Sequence, residues 1–237
     1  MYSNRYITIY TLIMTLVVSV VLAFTVTGLK PFHDEAEAIY KKRDILSAIE
    51  SQLPKKLVDM TDEEVLSLFD SKVEQVVINA EGESLQGIKA EKVDMASEEK
   101  KPENERKYPL YIYQSEQGKI YLASVRGNGL WDKIWAYVAI KEDLNTIVGT
   151  AFGHVGETPG LGAEIKDNPG FPKQFEGKQI MNDQGEYVSV KVVKGGAKDP
   201  LHEVDGISGA TITSVGVSEM MVRGLEVYLP YLQAQKK

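Results

Sequence analysis

Apolar and polar positions divide this chain into a long uncharged run, a charged helical stretch and a series of β-rich segments. From Tyr6 to Leu29 no residue is charged, and Arg5 and Lys30 bracket the run. Roughly 24 residues as a helix reach about 36 Å, and about 20 suffice to cross a hydrocarbon core. The run is too long for the apolar part of a cleaved leader. Phe24-Thr25-Val26 is a poor cleavage site, although Ala36-Glu37-Ala38 imitates one, so the run predicts a membrane anchor. Pro31 predicts a kink. Beyond it, residues 35–50 have helical spacing, with Ala38, Ile39, Ile45, Leu46 and Ile49 apolar. Thr61 followed by Glu64 reads as a capping box that opens a helix to about Phe69. Val73 to Ile78 predicts a strand.

Residues 91–107 are dense in charge and predict an exposed loop, with Glu98-Glu99, like Glu63-Glu64, as solvated charges. From Tyr108 the pattern changes. Residues 111–113, 120–125, 134–140 and 146–152 are rich in β-branched and aromatic side chains and predict strands, with a hairpin turn over 116–119. Residues 187–193 predict another strand. Residues 214–228 predict a helix with Val215, Val217, Met220, Met221, Leu225 and Val227 largely inward, stopped by Pro230. The class is α+β: an N-terminal transmembrane helix, then a mixed α/β domain with a largely antiparallel sheet. The divisions are 1–30 (tail and span), 31–107 (helical and charged-loop region) and 108–237 (the strand-rich domain).

Charge and composition narrow the chemistry. The formal net charge is −7 with scattered basic residues, which argues against a nucleic-acid partner. The chain has no cysteine, which excludes disulfides, Cys-ligated iron–sulfur clusters and Cys-based zinc sites. His33, His154 and His202 lack metal spacing and read as solvated or hydrogen-bonded; His154 lies close to Glu157. Arg5 precedes the span and Lys30, Lys41, Lys42 and Arg43 follow it. A plain count puts the large domain inside, but long domains translocate with little regard to charge, so charge leaves the orientation undecided.

Three small-residue segments carry the candidate chemistry. Asp205-Gly206-Ile207-Ser208-Gly209-Ala210-Thr211-Ile212-Thr213-Ser214 joins a strand to the last helix. It can be an ordinary loop with Thr213 or Ser214 as N-cap, or a phosphate seat at a helix N-terminus; on the residues alone the loop is favoured. Gly156-Glu157-Thr158-Pro159-Gly160-Leu161-Gly162 contains a tight Pro-Gly turn. Gly127-Asn128-Gly129-Leu130-Trp131 places Trp131 either as a core aromatic at a strand start or as the wall of a site.

Taken together these segments resemble a known family. Asp-x-x-Ser-Gly-Ala-Thr at 205–211 is similar to the flavinylation motif of FMN-binding subunits of sodium-translocating NADH:quinone reductases and the related Rnf-type complexes. The Glu-Thr-Pro-Gly-Leu-Gly and Gly-x-Gly-Leu-Trp segments, with Asp44-Ile45-Leu46 after the anchor, fit the sodium pump's C subunit better than the Rnf G subunit. The resemblance implies FMN esterified by a flavin transferase to Thr211. Asp205 and the motif glycines would be read by the transferase and also cradle the phosphate, with Ser208, Gly209 and Ala210 in the same cofactor site. It implies a loop in which Leu161 packs on the flavin, Glu157 and Thr158 offer polar groups to its edge, and Gly160 and Gly162 shape the turn, with Trp131 near the ring. It also implies an electron carrier between a membrane iron–sulfur centre and another subunit's FMN. Its partners would be the other subunits and membrane lipid, with the flavin domain periplasmic on a single inner-membrane span. A stand-alone extracytoplasmic flavin reductase and a tethered binding module without flavin are the alternatives.

Overall fold

The structure, a computed structural model, describes residues 3–235. It divides into two compact units, one ending at Lys41 and one beginning at Lys42. The first consists of helix α1 (Asn4–Ser47) up to the boundary. Its apolar side chains from Tyr6 to Leu29 stand exposed along the helix, and it is long and apolar enough to cross a membrane. Pro31, where a kink is expected, lies inside the helix without interrupting it; its missing N–H forgoes one hydrogen bond to the fourth residue before it.

The second unit begins with the last turns of α1, where Ile45 and Leu46 are buried, and continues through helix α2 (Asp62–Lys72). The Thr61 hydroxyl accepts from the Glu64 N–H at 3.3 Å, and the Glu64 carboxylate accepts from the Thr61 N–H at 2.8 Å. This reciprocal cap is the expected one, and Thr61→Ala is expected to lower stability by about 1 kcal/mol in chemical denaturation.

Strand β1 (Val73–Ile78) opens the sheet. Residues 91–107 are more ordered than their charge suggests. Helix α3 (Met95–Glu98) forms there between two 3-10 turns. Glu98 is buried because its carboxylate accepts from the Lys101 ammonium at 2.8 Å and the Lys107 N–H at 3.0 Å. Glu99 pairs with Arg126 and Lys133. The solvated-loop expectation is corrected here: local ion pairs substitute for water.

Strands β2 (Tyr108–Ser115), β3 (Gly118–Asn128), β4 (Lys133–Ile140) and β5 (Ile147–His154) follow. With β1 they form an antiparallel meander in chain order. The sheet thus runs across the change of composition at residue 108. Both of its faces are buried. Leu110, Ile112, Tyr121, Ala123 and Val125 belong to one core; Tyr111, Tyr113, Ile120 and Leu122 belong to the other, with Ile45, Leu46 and Phe69. Coverage on both sides explains why β2 reads as continuously apolar rather than alternating.

After β5 come the short helices α4 (Glu164–Asp167) and α5 (Gly170–Lys173). The strand expected over 187–193 shortens to β6 (Lys191–Val193), which pairs in parallel with β7 (Glu203–Asp205), an element the sequence pattern missed. Helix α6 (Thr211–Glu226) starts three residues before the expected point. Val215 is exposed rather than inward. Pro230 does not terminate α6; it lies in the first turn of helix α7 (Leu229–Gln235), where a missing N–H is tolerated.

Two buried tyrosines in this unit differ sharply. The Tyr228 hydroxyl is shared between the Ser124 carbonyl at 2.8 Å and the Pro109 carbonyl at 3.0 Å. The Tyr111 hydroxyl is buried with no hydrogen-bond partner among the described residues, and burial pushes its pKa well up. Tyr228→Phe is expected to cost about 1–3 kcal/mol, because it strands carbonyls, whereas Tyr111→Phe costs nothing or stabilises; paired denaturation curves check the contrast.

Candidate functional site

The three sequence segments meet at one end of the sheet, because the topology brings them there. The β3–β4 register pairs Asn128 with Lys133, so Gly129 to Asp132 form the connecting loop. The β4–β5 register pairs Ile134 with His154, so the loop from Val155 leaves from the same end. Helix α6 crosses β3 with its glycines inward. A Cβ at Gly216 would strike the Asn128 carbonyl, and one at Gly224 would strike Val125. The N-terminus of α6 therefore lies at the end carrying both loops.

The motif loop is built to present its last residue. The Gly206 N–H donates to the Val193 carbonyl at 2.8 Å, and the Ala210 N–H to the Ile207 carbonyl at 3.1 Å. Gly209 closes this turn at φ +77°, a conformation glycine adopts without steric cost. Ser208 and Gly209 are exposed and Ala210 is buried as the N-cap of α6. Alanine has no oxygen with which to cap the helix. Thr211, the first residue of α6, is exposed. Neither Thr213 nor Ser214 is the N-cap. Thr213 is buried and bonded to Glu157, while the Ser214 hydroxyl accepts from the Ile207 N–H at 3.1 Å. The Asp205 carboxylate accepts from the Ala197 N–H at 2.6 Å, which ties the motif to the Lys194-Gly195-Gly196 turn. That turn, with Gly206, Gly209 and Thr211, lines a cleft of about 550 Å³. Sequence reading missed it; the paired glycines, at φ +87° and +102°, were the available signal.

The second loop packs against the first. A Cβ at Gly209 would meet the Leu161 side chain. Leu161 is 40% exposed beside it, and Gly160 turns at φ +74°. The Thr158 carbonyl accepts from the N–H groups of Leu161 and Ala163, both at 3.1 Å. Trp131 is 69% exposed, so the core-aromatic reading is corrected: the residue belongs to the loop beyond the sheet, not to a strand start. Its indole N–H donates to the Thr158 hydroxyl at 3.1 Å. Ile212 and Val215 on α6, and Leu161 and Trp131 on the two loops, are exposed apolar side chains at this end of the sheet.

Glu157 departs from its expected place at the edge of a ligand. It is 4% exposed, and its carboxylate turns into the protein. One oxygen accepts from the Trp131 N–H at 2.9 Å, the other from the Thr213 hydroxyl at 2.6 Å. Desolvation is the largest influence on this carboxyl and raises its pKa. The Thr213 hydroxyl and the N–H groups of Trp131, Asp132 and Leu130 together outweigh it and hold the pKa below the usual range. Gly162 is buried, and a side chain there would collide with this carboxylate and with Thr213. The Glu157 N–H donates to His154 Nδ1 at 3.3 Å, while His202 lies away from these loops, bonded to Asp199 and the Met181 carbonyl.

Known proteins share this arrangement of sequence and fold. The FMN-binding domain family matches residues 129–226, which contain most of the Gly-x-Gly-Leu-Trp segment and all of the other two. The C subunit of the Na(+)-translocating NADH-quinone reductase of Neisseria meningitidis serogroup A is 35% identical, over 96% of this chain and 93% of the relative. Its counterpart from Pseudomonas aeruginosa is 34% identical, over 92% of each. The crystal structure of the same C subunit from Parabacteroides distasonis aligns with a TM-score of 0.75 at 35% identity, covering 86% of this chain and 96% of that one. Shewanella oneidensis NqrC aligns with a TM-score of 0.68 at 29% identity, over 82% and 99%. Matching nearly end to end in sequence and across the whole soluble fold, this chain belongs to the family of C subunits of the Na(+)-translocating NADH-quinone reductase.

Proposed function

We propose that this chain holds FMN by a phosphoester bond to the Thr211 hydroxyl and serves as an electron-carrying subunit of a sodium-pumping NADH:quinone reductase. The observation that carries the reading is an exposed threonine, Thr211, at the first position of a sixteen-residue helix whose N-cap is alanine. A phosphodiester keeps one negative charge, and a helix N-terminus favours such a charge by roughly 0.3–1 kcal/mol. Gly209 and Ala210 keep bulk from the acceptor, and Ser208 offers a hydroxyl beside it. Leu161, Ile212, Val215 and Trp131 supply the apolar surface that a planar heterocycle needs. When bound, FMN supplies the redox chemistry; the residues of this chain fix where it sits and tune its surroundings.

On this reading a flavin transferase loads the chain, and Asp205 and the motif glycines belong to what it recognises. The α1 span anchors the subunit in the inner membrane with the flavin domain on the periplasmic side. Electrons pass from a membrane iron–sulfur centre through this flavin to the FMN of another subunit. A covalent bond suits that place, because a dissociable flavin facing a dilute exterior would be lost by mass action. The test is co-production with the flavin transferase followed by a denaturing gel under ultraviolet light. The band should fluoresce, and the native chain should co-purify with the other pump subunits. A dark band would end the proposal; a fluorescent chain that purifies alone and turns over with a soluble donor would favour the stand-alone reductase.

A further inference from the structure

The geometry points to Glu157 as a positioning residue that sets the Thr211 end of α6 against the Trp131 loop without itself touching the flavin. The inference rests on the proposed attachment at Thr211. One buried carboxylate bridges two segments far apart in sequence. Its oxygens accept from the Trp131 N–H and from the Thr213 hydroxyl, and Thr213 is two residues from the acceptor. The surroundings are shaped for that carboxylate. Side chains at Gly129 and at Gly162 would each collide with it, so a glycine in each of two separate segments makes room for the same group. The β3–β4 loop, the Pro-Gly loop and the first turn of α6 are therefore held by a single side chain. A buried charge so placed holds its partners firmly, because any shift that breaks one bond removes part of what compensates a carboxylate in the interior. Trp131 is the exposed aromatic of this group, and Thr211 its acceptor; Glu157 fixes the spacing between them.

The test uses the full chain in membranes, co-produced with the flavin transferase, as wild type, Thr213→Val and Thr213→Ser. The readouts are flavin per chain and the visible-region circular dichroism of the attached flavin, which reports how the ring is held. In Thr213→Val the carboxylate loses one partner. The dichroic band is expected to fall at least two-fold, or flavin per chain to fall by that factor, with far-ultraviolet dichroism unchanged. Thr213→Ser, which keeps the hydroxyl, restores both. Glu157→Gln, nearly isosteric but uncharged, carries the same expectation and serves if Thr213→Val does not accumulate. A folded Thr213→Val and Glu157→Gln with wild-type flavin content and an unchanged band would reduce Glu157 to a structural residue and overturn the inference. Failure of the parent reading looks different: the wild-type chain itself would carry no covalent flavin.

Discussion

Thr211→Val is expected to leave the chain folded and, on the proposed attachment, free of covalent flavin. The side chain is exposed at the start of α6 and makes no packing contribution that a valine would remove. Surface substitutions of this kind stay within about 0.5 kcal/mol. The loss is therefore chemical and complete: without the hydroxyl oxygen no phosphoester can form. In-gel fluorescence of the denatured chain reads zero for Thr211→Val and near wild type for the conservative Thr211→Ser, with unchanged far-ultraviolet dichroism in both. Fluorescence persisting in the valine variant would move the acceptor elsewhere. Ser208 would be the first candidate, since it is exposed in the same turn.

Phe175→Ala produces the largest expected loss of stability. Phe175 is fully buried, and its ring lies 5.2 Å from that of Phe152 and 5.6 Å from that of Phe171, centroid to centroid. Phe152 is on β5, and Phe171 is in α5, so the cluster pins the segment after the Pro-Gly loop to the sheet. Truncation leaves a cavity that two other rings can only partly fill, and costs about 3–5 kcal/mol. The denaturation midpoint of the purified chain should move accordingly. A shift below about 1 kcal/mol would mean that the segment collapses into the space.

Local patterns were legible in the sequence, and contacts between distant segments were not. Strands β2 to β5 are legible because β-branched and aromatic residues fill both faces of a doubly covered sheet. The cap at Thr61 is legible because it is local, written in four consecutive residues. Strand β7 and the short extent of β6 were hidden. A three-residue parallel pair has too few positions to set a period. The same limit applies to Glu157. Its place in a family-like segment suggested a group facing a ligand. Its inward turn depends on Thr213, 56 residues further on, and on the empty space at Gly129 and Gly162. Trp131 went the other way, exposed although large and aromatic, because only the hairpin register decides whether it lies in the strand or in the loop.

The two glycines on the inner face of α6 have a mechanical meaning. Gly216 sets helix backbone directly on the Asn128 carbonyl of β3, and Gly224 sets it against the Val125 side chain. Position 211 is thus the tip of a stiff lever clamped along β3, not the crest of a flexible loop. A group fastened there would therefore start from a point held at a set height above the sheet.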